Sequence, residues 1–207
     1  DASKYYKKFI NKGFNDHRVF SNYGLILQGI NKLKEAEILF HKSIALNPNY
    51  EIAYFNLGNL FRDLGKLEKA EISYQKAIEL NPNLVEFHFN LGNLFRDIGK
   101  LEDAEISYHK AIAINPNHEK TYSNLGNILR DLGKLEEAEI QTRKAIELNP
   151  NSAISYSNLG IILKDIGKLK DAEIFIRKAI KIKPDFANAY YNLGLVLRDL
   201  GKLKEAE

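Results

Sequence analysis

One 34-residue pattern recurs through nearly the whole chain, and this period constrains the fold more than any other feature. Residues 51–84 read EIAYFNLGNLFRDLGKLEKAEISYQKAIELNPNL, and residues 85–118 return as VEFHFNLGNLFRDIGKLEDAEISYHKAIAINPNH. Three columns keep the period, with glycine at Gly58, alanine at Ala70 and proline at Pro82. A fixed period in this range is typical of a solenoid, in which each unit buries its apolar face against its neighbours.

The glycine, alanine and proline columns together resemble the tetratricopeptide repeat (TPR), a helix–turn–helix unit of this length. A large aromatic residue near the start of the first helix, such as Tyr54, strengthens the resemblance. Asn31 departs from it by replacing the turn glycine, and Ser43 departs from it by replacing an alanine. The resemblance implies an all-α fold, a right-handed α-solenoid of antiparallel helix pairs (the TPR superhelix) whose first helices line a concave groove.

The same columns predict a single TPR array over residues 1–207. Complete repeats are expected at 17–50, 51–84, 85–118, 119–152 and 153–186. Residues 1–16 match a second helix when they are shifted by one period, with the helix at 2–12, although a free amphipathic leader is the alternative. A partial repeat is expected at 187–207, its first helix running to about 200. The chain lacks methionine even at its first position, which indicates an excised fragment.

Composition narrows the classes of function. A net charge of +3 over 207 residues argues against a nucleic-acid partner. The chain has no cysteine, so disulfides, thiolate metal sites and thiol catalysis are excluded. Neither a membrane-spanning run nor a signal-peptide pattern is present, and a cytoplasmic protein without a membrane partner is expected.

A helical wheel divides the first helix of residues 51–84 into two faces. The core face holds Ala53, Tyr54, Leu57, Gly58, Leu60, Phe61 and Leu64. The opposite face holds Ile52, Phe55, Asn56, Asn59, Arg62 and Asp63. We expect Gly58 to let the second helix approach closely, opposite the small Ala70.

An asparagine occupies one position of the polar face in every repeat. The column comprises Asn22, Asn56, Asn90, Asn124, Asn158 and Asn192. An asparagine amide both donates and accepts hydrogen bonds, so this column predicts clamping of a peptide main chain. It is similar to the asparagine column of the TPR region of O-linked N-acetylglucosamine transferase, which holds extended chains. Hydrogen bonds between repeats are the alternative role.

Three further columns complete the predicted peptide-binding groove. A second asparagine column, confined to the middle repeats, is Asn59, Asn93 and Asn127. Phe55 and Phe89 offer aromatic platforms, or alternatively pack on the neighbouring first helix. A basic column is followed at each position by aspartate, which predicts salt bridges between repeats or a charged edge that selects ligands; its members are Arg62, Arg96, Arg130, Lys164 and Arg198.

Isoleucine forms a column on the second helix, directly after a column of glutamate that departs from the usual TPR pattern. The isoleucines are Ile38, Ile72, Ile106, Ile140 and Ile174. The wheel places them on the convex side, which predicts either an apolar interaction surface or apolar residues covered by lysine stems.

The function expected is a protein–protein interaction scaffold that binds an extended peptide in the concave groove. Two alternatives remain, a substrate-recruiting region of a larger enzyme such as a bacterial glycosyltransferase or sulfotransferase, and a self-assembling solenoid. The histidines are scattered and the glycines serve helix turns, so neither a catalytic site nor a metal site nor a cofactor is expected. Apolar residues on the two terminal helices, including Tyr5, Phe9, Ile10, Leu193 and Val196, predict head-to-tail self-association.

Overall fold

The computed structural model describes residues 2–13 and 15–202, and this part of the chain is all-α, built from helix pairs as predicted. It falls into two compact units, residues 1–98 and 99–207. The first unit contains α1 (Ala2–Asn11), α2 (His17–Gly29), α3 (Leu33–Leu46), α4 (Glu51–Asp63), α5 (Leu67–Leu80) and α6 (Val85–Asp97). The second unit contains α7 (Leu101–Ile114), α8 (Glu119–Asp131), α9 (Leu135–Leu148), α10 (Ala153–Asp165), α11 (Leu169–Ile182) and α12 (Ala187–Asp199).

A left-handed residue ends the first helix of each pair and turns the chain into the second. Gly65 has φ 69°, and the amide of Lys66 donates to the carbonyl of Phe61 at 2.8 Å, which closes a Schellman turn. Asn31 takes the place of this glycine at φ 61°. Asparagine tolerates that conformation better than most residues, so the turn survives the substitution.

The second helix ends in a turn built by the Asn-Pro-Asn sequence. Asn81 follows α5 with extended backbone, and its side-chain oxygen accepts a hydrogen bond from the amide of Asn83 at 3.2 Å. The proline between them cannot continue the helix. The same turn follows α3, α7 and α9, which explains the first asparagine of this motif as well as its proline.

The core lies between the two helices of each pair. Ala70, Tyr74 and Ala77 are fully buried on α5. A Cβ on Gly58 would meet the ring of Tyr74 at 2.7 Å, whereas a Cβ on Gly126 or Gly160 would also lie 3.3 or 3.2 Å from the carbonyl of Ala138 or Ala172, in the column of Ala70. The glycine therefore makes room for an aromatic ring one turn beyond Ala70.

The first described helix, α1, agrees with the predicted helix at 2–12 and packs against α2. Its Tyr6 ring stacks on Tyr23 with centroids 6.1 Å apart. The side chain of Ile10 and residues 203–207, which belong to the predicted terminal faces and partial repeat, lie outside the described residues.

Candidate functional site

The predicted groove residues lie on the first helices of the pairs, α2, α4 and α6 in one unit and α8, α10 and α12 in the other. Within a unit these helices are neighbours, since α2 contacts α4, α8 contacts α10, and α10 contacts α12. We call the surface formed by the columns of Phe55, Asn56, Asn59 and Arg62 the first-helix face. Its side chains can therefore interact across consecutive repeats.

The asparagine column makes hydrogen bonds between repeats wherever serine precedes the asparagine of the preceding repeat. Asn56 is only 4% exposed, and its amide donates to Ser21 at 3.0 Å. The equivalent bonds join Asn158 to Ser123 at 3.3 Å and Asn192 to Ser157 at 3.0 Å. These asparagines occupy the role that the sequence left as the alternative to peptide clamping.

Phenylalanine in the serine column changes what the next asparagine does. Phe55 stands where Ser21 stands one repeat earlier. Asn90, one repeat after Phe55, donates instead to the carbonyl of Glu86 in its own helix, at 2.8 Å, and remains half-buried. Asn90 therefore presents its amide differently from the asparagines that follow a serine repeat.

A buried tyrosine fixes the orientation of Asn59. The hydroxyl of Tyr74 donates to the side-chain oxygen of Asn59 at 2.7 Å. Burial raises the pKa of Tyr74 well above its ordinary value, so the hydroxyl remains a donor at neutral pH. With its oxygen engaged, the half-buried Asn59 keeps its amino group for a hydrogen-bond acceptor.

The third member of this column, Asn127, lacks such a partner. Thr142 stands at the register of Tyr74 and is fully buried. Among the described residues, neither the hydroxyl of Thr142 nor the buried side-chain oxygen of Asn127 has a hydrogen-bond partner. The second asparagine column is therefore not equivalent from repeat to repeat.

The aromatic column packs between first helices. The ring centroid of Phe55 lies 4.9 Å from that of Phe87 and 5.8 Å from that of Tyr74. Phe55 and Phe89 both remain half-buried, so part of each ring is accessible. Phe55 therefore packs on the neighbouring first helix, which was the alternative role expected from the sequence, and part of its ring remains accessible.

The predicted salt bridges between repeats are present in the second unit. Arg130 lies 3.8 Å from Asp165, and Lys164 lies 3.7 Å from Asp199. In the first unit, Gln28 occupies the basic column and donates to Asp63 at 2.7 Å. Exposed pairs of this kind contribute roughly 0–1 kcal/mol each, so they align repeats more than they stabilise them.

A second set of ion pairs explains the unusual glutamate column. Within each unit, a glutamate on a second helix pairs with the turn lysine that lies 29 residues further along the chain, as in Lys134 and Glu105 at 2.7 Å. The other pairs are Lys66–Glu37 at 3.5 Å, Lys168–Glu139 at 3.0 Å and Lys202–Glu173 at 2.8 Å. The sequence reasoning missed these pairs, although the lysine column before each second helix was the signal for them.

The isoleucine column is exposed, as the wheel predicts. The five side chains are between 53% and 66% accessible. Each follows a glutamate of the ion-paired column, so apolar and charged residues alternate along this surface. No described helix is long and apolar enough to cross a membrane.

Four sequence models of TPR families match the chain. Those described as TPR repeat or Tetratricopeptide repeat match residues 39–72, 58–95, 85–118, 119–185 and 177–201. The chain belongs to the tetratricopeptide repeat family. None of the curated proteins compared with this TPR chain matches it in sequence.

Solved TPR structures share its fold at low sequence identity. YrrB is 23% identical with a TM-score of 0.74, over 90% of this chain and 96% of its own. A tetratricopeptide repeat protein from Parabacteroides merdae is 22% identical with a TM-score of 0.81, over 92% of this chain and 75% of its own. MamA is 22% identical with a TM-score of 0.73, over 79% of this chain and 96% of its own. These similarities establish the α-solenoid fold.

Proposed function

We propose that the protein is an interaction scaffold whose first-helix face binds an extended peptide of a partner protein. Membership of the TPR family supports a scaffold, and the solved structure of YrrB is described as having an unusual peptide-binding site. The observation that carries the proposal is the orientation of Asn59. Its amino group is held ready for an acceptor by a tyrosine that cannot itself be displaced without opening the core.

The centre of the proposed site is a strip along α4 formed by Phe55, Asn59 and Arg62. These positions recur at four- and three-residue intervals and therefore lie on one face of the helix. The amino group of Asn59 donates to a main-chain carbonyl, Arg62 attracts a carboxylate, and the accessible part of Phe55 contacts an apolar side chain. Phe89, Asn93 and Arg96 repeat the same three chemical groups on α6.

Other residues of the first-helix face extend the proposed peptide path within each unit. They are Asn22, Asn56 and Asn90 in the first unit, and Asn124, Asn127, Arg130, Asn158 and Asn192 in the second. Asn22 is exposed and Asn90 is half-buried, so both offer an amide to the surface. Asn56 is buried and supports the path through its bond to Ser21.

A peptide array tests the proposal. The wild-type chain selects peptides from a library of extended sequences, and the selected peptides are then titrated against Asn59→Leu. Leucine is a substitution that the fold already accommodates, because Leu25 and Leu195 occupy the same position in other repeats. We expect roughly fivefold or greater weakening for one lost hydrogen bond of about 1 kcal/mol.

The matched control is Ile140→Ser on the second-helix side, which should leave the affinity of the selected peptides unchanged. Circular dichroism checks that each variant keeps its helical content. Selected peptides that bind the wild type and Asn59→Leu equally well would contradict the assignment of Asn59. Failure to select any peptide would contradict the proposed function as a whole.

Self-association is a further proposal, supported by exposed aromatic residues on both terminal helices. The expected apolar face of α12 is corrected, because Leu193 and Val196 are buried in the core of their own unit. Tyr5 on α1 and Tyr190 and Tyr191 on α12 are instead more than half exposed. Contacts between different surfaces of two copies propagate head to tail. Sedimentation velocity at increasing concentration should show a growing series of species that Tyr191→Ser shortens, and a single monomeric species at every concentration would contradict it.

A further inference from the structure

A groove on the second-helix side of the first unit is separate from the proposed peptide path. It has a volume of about 500 Å³ and lies between α3 and α5, which both pack against α4. We call it the outer groove. Its lining residues are Glu37, His41, Ile44, Tyr54, Leu57, Phe61, Lys69, Ile72, Ser73 and Lys76.

The bottom of the outer groove is apolar and its walls carry exposed apolar groups. Leu57 and Phe61 of α4 are almost fully buried and form the floor, while Ile72 of α5 is 66% exposed on one wall. Ile44 of α3 and Tyr54 of α4 are half-buried beside them. A volume of this size accommodates more than one apolar side chain of a ligand.

The charged residues of the groove are paired, with one exception. Glu37 is paired with Lys66 at 3.5 Å, and Lys76 is paired with Glu79 at 2.9 Å. Lys69 has no carboxylate within ion-pair distance among the described residues. Its ammonium group instead lies 5.6 Å from the centre of the Phe61 ring, above the apolar floor.

Lys69 is also an exception within the repeat. The equivalent residues of the other repeats are acidic, namely Glu35, Asp103, Glu137, Asp171 and Glu205. The outer groove therefore combines an apolar floor with a cation that no internal carboxylate neutralises. A complementary ligand supplies an apolar side chain and, next to it, a carboxylate.

We infer that the outer groove binds an acidic amphipathic segment of a partner protein, in which apolar side chains enter the groove and a neighbouring Asp or Glu pairs with Lys69. The occupant is distinct from the extended peptide of the first-helix face, and the two sites face away from each other on α4. Ile72 and Phe61 contact the apolar side chains. Lys69 supplies the preference for an acidic sequence over a neutral one.

The test uses the full 207-residue chain labelled with ¹⁵N and two synthetic peptides. The acidic probe is acetyl-Glu-Phe-Leu-Glu-amide, and the neutral probe is acetyl-Gln-Phe-Leu-Gln-amide. We expect saturable chemical-shift changes at the backbone amides of α3 and α5 around His41, Ile72 and Lys76. An exposed ion pair of up to about 1 kcal/mol gives the acidic probe about a fivefold advantage.

Two pairs of variants separate the contributions. Ile72→Ser should abolish the shifts, whereas Ile140→Ser, at the same register and 62% exposed in the second unit, should leave them unchanged. Lys69→Glu should remove the advantage of the acidic probe, whereas Lys110→Glu, an exposed lysine on α7, should preserve it. All four positions are at the surface or its edge, and the unperturbed remainder of each spectrum shows that the fold is retained.

Several results would overturn the inference. These are the absence of saturable shifts, equal affinity for the two probes, or equal effects of Ile72→Ser and Ile140→Ser. Shifts confined to Phe55 and Asn59 would place the probe on the first-helix face instead. That last result would leave the proposed function standing while removing the second site.

Discussion

Exchanging the residues at the Tyr74 register between α5 and α9 gives the sharpest test of how the repeats are built. Tyr74 is fully buried, its ring fills the space left by Gly58, and its hydroxyl bonds Asn59. Thr142 occupies the same register on α9 without a hydrogen bond to Asn127. The perturbations are therefore Tyr74→Thr and Thr142→Tyr, each introducing a residue that the array already uses elsewhere.

The expected effects follow from the contacts. Truncating a buried aromatic residue costs about 3–5 kcal/mol, to which the hydrogen bond contributes about 1 kcal/mol. We therefore expect Tyr74→Thr to destabilise α4 and α5 by about 4 kcal/mol. Thr142→Tyr should stabilise α8 and α9 by about 2 kcal/mol, because the new ring is buried opposite Gly126 and its hydroxyl reaches Asn127.

Hydrogen exchange measured by mass spectrometry is the suitable assay, because repeat proteins distribute stability over repeats and their interfaces. Protection should fall in α4 and α5 for Tyr74→Thr and rise in α8 and α9 for Thr142→Tyr, with α11 and α12 as an internal reference. Tyr74→Phe isolates the hydroxyl and should cost only about 1 kcal/mol, since water reaches the half-buried Asn59. Unchanged protection in Tyr74→Thr, or reduced protection in Thr142→Tyr, would refute the reasoning.

Three further predictions concern contacts between and within repeats. In a double-mutant cycle, Ser21→Ala and Asn56→Ala should show a coupling of about 1 kcal/mol in chemical denaturation, and additive effects would show that their hydrogen bond contributes nothing. Hydrogen bonding from Lys202 holds the pKa of Glu173 below its ordinary 4.5. The stability from this contact is therefore fully present above pH 4.5 and is lost as the pH falls through the pKa of the folded state. An NMR titration of Lys202→Met should show Glu173 titrating at higher pH than in the wild type, and an unchanged titration would contradict the contact. Gly160→Ala places a Cβ against the buried side chain of Ile176 on α11, so it should lower the melting temperature and cost about 1–3 kcal/mol. A wild-type melting temperature would show that the helix pair adjusts freely.

The sequence predicted the features that are determined within a single helix or a single turn. The helices of the described residues follow the 34-residue period, and the wheel of the first helix placed Ala53, Leu57 and Leu60 in the core. The substitution of Asn31 for the turn glycine was also readable, because few other residues adopt a positive φ. These features depend on local geometry, which a single helix or turn determines.

Contacts between successive repeats were harder to predict, because they depend on how far one pair is displaced along the next. The bond from Asn56 to Ser21 spans 35 residues, and the pair of Lys134 with Glu105 spans 29. Both spacings differ from the period itself, so aligning the columns does not reveal them. The Tyr74–Asn59 bond was missed for another reason, since it joins the two helices of one pair and the wheel of a single helix does not reveal it.

The dependence of each asparagine on the preceding repeat has a consequence for recombination between repeats. A repeat transplanted with its own asparagine does not carry the partner of that amide, which belongs to whatever sequence is placed before it. Recombination at a point after the serine position and before the next repeat therefore changes the residue that faces the following asparagine, although every asparagine keeps its place in the sequence. Duplication or deletion of whole 34-residue segments preserves both the 35-residue spacing of the asparagine contacts and the 29-residue spacing of the lysine contacts.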